Sequence, residues 1–163
     1  MYSRFLLSHL REPELVVEKW ASQLEAGGLL LLEEAETIIT SHLVFARYLE
    51  AVEAMLASQS NRLYAGPVLD GLDSVGRLKC AVNELRSVFV RNCDAARMFE
   101  LNLNTWKDSE FVRTNYSSGF IRELEEDLQK IAAIESPARE ISWQMRQSAI
   151  LRDEHDSSKR GDG

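Results

Sequence analysis

Residues 25–34 read Glu-Ala-Gly-Gly-Leu-Leu-Leu-Leu-Glu-Glu. Gly27 and Gly28 carry the backbone freedom that closes a helix, and the four leucines after them show no alternation. An apolar run bounded by glycines on one side and carboxylates on the other predicts a strand over 29–34, buried on both faces, as in parallel sheets covered by helices. Glu33 and Glu34 mark where that strand should surface.

On the N-terminal side, Pro13 suits a first helical turn, and Val16, Trp20 and Leu24 recur at fourfold spacing, predicting an amphipathic helix over 12–25. On the C-terminal side, Val44, Tyr48, Val52 and Met55 form one stripe, predicting a helix over 41–58. Gly66-Pro67, Gly71 and Gly76 mark a loop over 61–76 with a short helix after Pro67. Leu78, Cys80 and Val82, then Val88 and Val90, alternate with polar neighbours, predicting a strand region interrupted near Asn83-Glu84. Helices are expected over 94–106 and 118–134, the second with Leu124, Leu128 and Ile131 on one face and Glu123, Glu126 and Asp127 on a solvated one. Ile141, Trp143 and Met145 alternate with Ser142, Gln144 and Arg146, which predicts a half-buried strand. Residues 1–152 form one domain in this reading, and the polar tail 153–163, which carries His155, is expected to be disordered. The order of elements is that of an α/β layer fold ending in an antiparallel pair.

The 163 residues carry a net charge of −7, with no basic stripe interleaved with aromatics. A surface that neutralises phosphates needs clustered Lys and Arg, so nucleic-acid binding is not expected. The longest apolar run is far short of the ~20 residues of a spanning helix, and the N-terminus lacks a signal-peptide pattern. A cytoplasmic, membrane-free location is the expectation. Cys80 and Cys93 are too few for a zinc site, and no metal is expected. The sequence leaves a disulfide open, and a reducing compartment favours buried thiols.

Three phrases carry a family resemblance. Arg4-Phe-Leu-Leu-Ser-His-Leu-Arg-Glu-Pro13, the helix ending Trp20-Ala-Ser-Gln-Leu24, and Gly27-Gly-Leu-Leu-Leu-Leu-Glu-Glu34 resemble the middle of a class I S-adenosylmethionine-dependent methyltransferase. There a phrase similar to R-x-L-x-H-L-x-D-P follows a strand, and L-x-P-G-G-x-L-x-x-x-E opens the fifth. Asn61-Arg-Leu-Tyr-Ala-Gly-Pro67 and Ile141-Ser-Trp-Gln-Met-Arg-Gln147 are similar to the C-terminal part of its small-molecule members. The resemblance implies a partial Rossmann-like sheet, strands four to seven with additional helices, the last strand antiparallel and inserted between 29–34 and the region around 78–90. Glu12 replaces the usual Asp and Ala26 the usual Pro.

The glycine-rich turn and the acid that hold the methyl donor in this family cannot be located here. Strands one to three would precede Tyr2. The expectation is a truncated reading frame or a fragment, Met1 falling inside strand four. S-adenosylmethionine is the family's cofactor, and this chain alone is not expected to bind it. A small-molecule substrate is implied for the full-length enzyme. The alternatives are a non-catalytic half-domain, which dimerises or complements a separate N-terminal half along its exposed sheet edge, and a regulatory binding module.

In open α/β sheets ligands gather beyond the C-terminal strand ends. Glu33 and Glu34 are therefore candidates for facing substrate or polarising a nucleophile, or they are simply where a buried strand surfaces. His9, where the family's similar histidine lies near the cofactor cleft, is a candidate general base or a packing residue. Arg4 and Ser8, with Tyr2, share that neighbourhood and are the cofactor-binding candidates. Tyr64 and Trp106 are candidates to line an apolar substrate pocket, or to pack core or lid. His42 is expected at a helix terminus.

Overall fold

The structure, a computed structural model, describes residues 1–74 and 79–152. Leu78 and the tail 153–163 lie outside the described residues. Four strands form one mixed sheet: β1 (Tyr2–Arg4), β2 (Leu29–Thr40), β3 (Lys79–Val90) and β4 (Ile141–Leu151), in the order β1-β2-β4-β3. The helices are α1 (Pro13–Ser22), α2 (Leu43–Ser58), α3 (Gly66–Asp70), α4 (Asn92–Trp106), α5 (Glu110–Asn115) and α6 (Ser118–Ala133). The fold class is thus mixed α/β, and the chain divides into two compact units.

The first unit comprises Met1–Thr37, Tyr64–Arg86 and the chain from Gln144 onward. β1 runs parallel to β2, with Tyr2 opposite Leu31, Ser3 opposite Leu32 and Arg4 opposite Glu33. β4 is antiparallel to β2, because the Gly27 and Arg152 amides bond the Arg152 and Gly28 carbonyls at 3.1 and 3.0 Å. The core joins Leu7, Val17, Ala21, Leu24, Leu30, Leu32, Leu69, Leu72 and Ile150. Pro13, Val17 and Ala21 are the buried positions of α1, one residue away from the expected Val16 and Trp20, which are half-buried. Small Ala21 lets the helix approach the core, whereas the indole of Trp20 only flanks it. The expectation that the glycines close this helix is corrected: it ends at Ser22 with Gln23 as its cap, and Gly27, at φ 75°, a conformation that favours glycine, instead turns the chain into β2.

Two strand expectations are corrected here. β2 does not stop at the acids but continues to Thr40. Nor is it buried on both faces: Leu30, Leu32 and Glu34 are inside, while Leu29 and Leu31 are exposed. β4 is the reverse case. As a central strand it is covered on both faces, so the polar residues Ser142, Arg146 and Ser148 are buried and the expected alternation vanishes. The strand around 78–90 has no interruption at Asn83-Glu84 and runs unbroken through β3. The expected helix after Pro67 is α3, whose first residue, Gly66, lies so close to β2 that a Cβ there would sit 2.6 Å from the Glu36 Cα.

The second unit comprises Ile38–Leu63 and Ser87–Trp143. α4 packs along α6, and α2 contacts α6 and α5. Its core is aromatic: Tyr48 stacks on Phe99 with centroids 4.1 Å apart, and Phe45 meets the same ring edge-on at 5.6 Å. Burial pushes the Tyr48 hydroxyl up to about 12, against the pull of the Trp106 and Asn102 side chains. α6 follows the sequence closely, with Leu124, Leu128 and Ala132 buried and Ser117 Oγ capping the Phe120 amide at 3.1 Å. His42 is an N-cap as expected, its Nδ1 accepting from the Val44 amide at 3.3 Å. α5 was not legible, being six residues whose signal is little more than the cap at Ser109. Cys93 is buried and Cys80 half-buried, both as thiols, so no disulfide links them.

Candidate functional site

The C-terminal end of β1 lies beside the middle of β2, and the chain must turn there at once. Phe5 makes the turn with φ 54°, a left-handed conformation that costs a non-glycine residue roughly 1–2 kcal/mol. Its amide bonds the Glu33 carbonyl at 3.1 Å. The next two amides, of Leu6 and Leu7, both donate to Glu34 Oε1, at 2.9 and 3.0 Å. A 3-10 turn over Leu7–His9 follows, so one carboxyl oxygen fixes the entry to that turn.

Glu34 is 1 % exposed. Burial raises its pKa, against the two amide donors and the charge of His9, and the adjacent Glu33 pushes in the same direction as burial. The expectation that both acids surface at the strand end is therefore corrected for Glu34, whose carboxyl is engaged inside the protein. β2 continues as a strand, so successive residues alternate across the sheet and Glu34 points to the face that holds Leu30 and Leu32.

Glu33 faces the other way. Arg4 Nε pairs with its Oε1 at 2.6 Å, and Gln147 Nε2 on β4 donates to its Oε2. The Arg4 guanidinium lies over the Phe5 ring, 4.7 Å from the centroid. His9 is exposed, Ser8 half-buried, and the Ser3 hydroxyl on β1 is buried without a hydrogen-bond partner. The structure thus brings Arg4, Ser8, His9, Glu33 and Glu34 into one neighbourhood. It adds Gln147, which the sequence showed only as a member of a strand phrase. Tyr64 is half-buried in the first unit. Trp106 belongs to the second unit, where its ring lies 5.8 Å from Tyr48 within the aromatic core.

A second polar cluster in the first unit was not legible at all. Arg146 is 7 % exposed; it grips Glu36 through Nε at 2.6 Å and Nη2 at 3.1 Å, and its Nη1 reaches Asp70 Oδ1 at 2.7 Å and Asn83 Oδ1 at 2.9 Å. Asn83 in turn donates to Asp70 at 3.1 Å. One guanidinium therefore ties β4 to β2, to the end of α3 and to β3. The fork geometry of Arg suits the two-pronged grip on a carboxylate.

A cavity of about 360 Å3 lies among the helices of the second unit, lined by Lys107, Arg113, Tyr116 and Arg122 among others. Lys107 is already paired with Glu125 at 2.7 Å. No group of His, Cys, Asp and Glu among the described residues is arranged to hold a metal ion, and no helix among them is long and apolar enough to cross a membrane.

No known family profile matches the chain, and no curated protein does. Solved structures similar to it include three methyl-transfer or cyclopropane-forming proteins. Phosphoethanolamine N-methyltransferase 2 of Haemonchus contortus, solved with S-adenosylhomocysteine and phosphomonomethylethanolamine, is 12% identical with a TM-score of 0.45; the match covers 93% of this chain and 33% of that one. A Bacillus halodurans C-125 protein described as a methyltransferase is 17% identical over 93% of this chain and 67% of its own, with a TM-score of 0.45. The cyclopropane synthase MmaA2 from Mycobacterium tuberculosis is 13% identical over 93% and 54%, with a TM-score of 0.43. The chain thus spans about a third of the nematode enzyme and about half of the mycobacterial one.

Proposed function

We propose that this chain is the C-terminal part of a class I S-adenosylmethionine-dependent methyltransferase acting on a small molecule. The observation that carries the reading is the sheet order, in which β4, last in the chain, is inserted antiparallel between β2 and β3. That is the arrangement the family resemblance implies; the phrase Gly27 to Glu34 opens β2, and the phrase Arg4 to Pro13 begins at the last residue of β1, which runs parallel to β2. In this reading β1, β2, β3 and β4 are strands four, five, six and seven.

The residues present do not make a site for the methyl donor by themselves. Glu34 has its carboxyl turned to two backbone amides, Glu33 is held by Arg4 and Gln147, and the buried Ser3 hydroxyl is a single polar group where a nucleoside with an amino acid needs many. The chain supplies one wall, with Arg4 and Ser8 toward the cofactor, Glu33 and His9 toward the methyl acceptor, and Glu34 as the residue that positions the turn between them. Activity requires the glycine-rich half, and the chain alone is inactive in this reading. The DNA upstream of Met1 tests it: a glycine-rich strand-turn-helix is expected in a continuous or shifted frame, and a stop codon with no such segment in any frame overturns it.

A second reading rests on the apolar surface at the β1 edge. Met1, Tyr2, Leu29 and Leu31 are all exposed there, along two adjacent strands. A surface of this kind invites pairing with another chain, and a non-catalytic half-domain complemented by a separate N-terminal half would use it.

A further inference from the structure

The opposite edge of the sheet carries a different message, independent of the methyltransferase reading. Among the described residues β3 is the outermost strand, twelve residues long, and Val82, Leu85, Val88 and Phe89 on it are exposed, Phe89 by 60%. Edge strands are ordinarily protected by brevity, proline, bulges or inward charges. β3 is long and has no proline, and its only charges are Lys79, Glu84 and Arg86. We propose that β3 pairs antiparallel with β3 of a second copy of this chain, about a two-fold axis at Leu85.

The placement of the charges selects this register. Glu84 and Arg86 flank Leu85, lie on one face of the strand, and are 3.4 Å apart with both side chains exposed. In an antiparallel pair, opposed residues share a face, so a two-fold axis through the sheet must pass through a residue rather than between two. An axis at Leu85 sets Glu84 opposite Arg86 of the second copy, and Arg86 opposite its Glu84. It also sets Val82 opposite Val88 on that face. On the other face it sets Leu85 against Leu85, Ala81 against Phe89, and polar Asn83 against polar Ser87, so apolar residues meet apolar ones and the polar pair meets in kind. The neighbouring registers fail by electrostatics. Moving the axis to Glu84 opposes the two Glu84 carboxylates, and moving it to Arg86 opposes the two guanidinium groups; like charges directly opposite are destabilising. The strand is thus self-complementary in one register and self-repelling in the adjacent ones, and a closed dimer results in place of open-ended stacking.

Charge reversal tests the register with variants that leave the fold alone, since both side chains point into solvent. Sedimentation equilibrium of the full chain should show a dimer. Glu84→Arg and Arg86→Glu should each weaken it by about tenfold or more, because each places two like-charged pairs across the interface. The double variant Glu84→Arg/Arg86→Glu should recover the dimer, and an equimolar mixture of the two single variants should form it as a heterodimer. Circular dichroism matching the unsubstituted chain confirms that folding is intact. A monomeric parent chain, a dimer indifferent to the single reversals, or a double variant that fails to recover would each overturn the proposal.

Discussion

Glu34→Ala is expected to cost about 2–4 kcal/mol of folding stability, measured by urea denaturation. It leaves the buried Leu7 amide without an acceptor, at about 1–3 kcal/mol, and the Leu6 amide at a smaller cost because Leu6 is itself exposed and its amide can turn to water. Glu34→Gln keeps a carbonyl oxygen in the same place and should cost far less, about 1 kcal/mol. The pair also separates hydrogen bonding from charge. Burial raises the folded pKa of Glu34 above its ordinary 4.5, so the folded chain holds this proton more tightly than the unfolded chain. Its contribution is full below 4.5 and is lost as pH rises through the folded value. The parent chain should therefore lose stability relative to Glu34→Gln as pH climbs through the window above 4.5. Parallel stability curves for the two proteins would show that Glu34 does not titrate differently on folding.

The second large effect is expected at Arg146. Replacing it by Met removes the group that answers Glu36, Asp70 and Asn83 together, and breaking a buried ion pair from one side costs about 3–5 kcal/mol. The value should fall toward the lower end, because the Asp70 side chain is 60% exposed and can turn to water. Arg146→Lys should recover only part of it, since an ammonium cannot grip both oxygens of Glu36. Combining Arg146→Met with Glu36→Gln should cost clearly less than the two single changes added, because the double variant no longer strands the Glu36 carboxylate, and Asp70, which remains, is exposed to water. Strict additivity in a double-mutant cycle would mean that Arg146 acts by packing alone.

These two sites show what the sequence could and could not disclose. The helical stripe of α6 and the cap at His42 were readable because helical period and capping are local. The Gly27-Gly28 turn and the start of β2 were readable for the same reason. The burial of Glu34 was not, because it depends on amides 27 and 28 residues earlier that lack a partner until β1 docks on β2. Arg146 misled for a related reason. Its neighbours alternate as in a half-wet strand, yet the strand order places β4 between two others, and all four polar groups of the cluster come from separate segments. Leu29 and Leu31 erred in the other direction, since an unbroken leucine run does not say how many faces are covered. Of the candidate site, the neighbourhood of Arg4, Ser8, His9 and the two acids was legible, whereas the contribution of Gln147 required the antiparallel pairing.

If, as proposed, this chain holds only one wall of a methyl-donor cleft, titration of S-adenosylmethionine into it by isothermal calorimetry should give no binding heat. One-to-one binding at micromolar strength would contradict that proposal, because the residues present would then suffice to hold the donor.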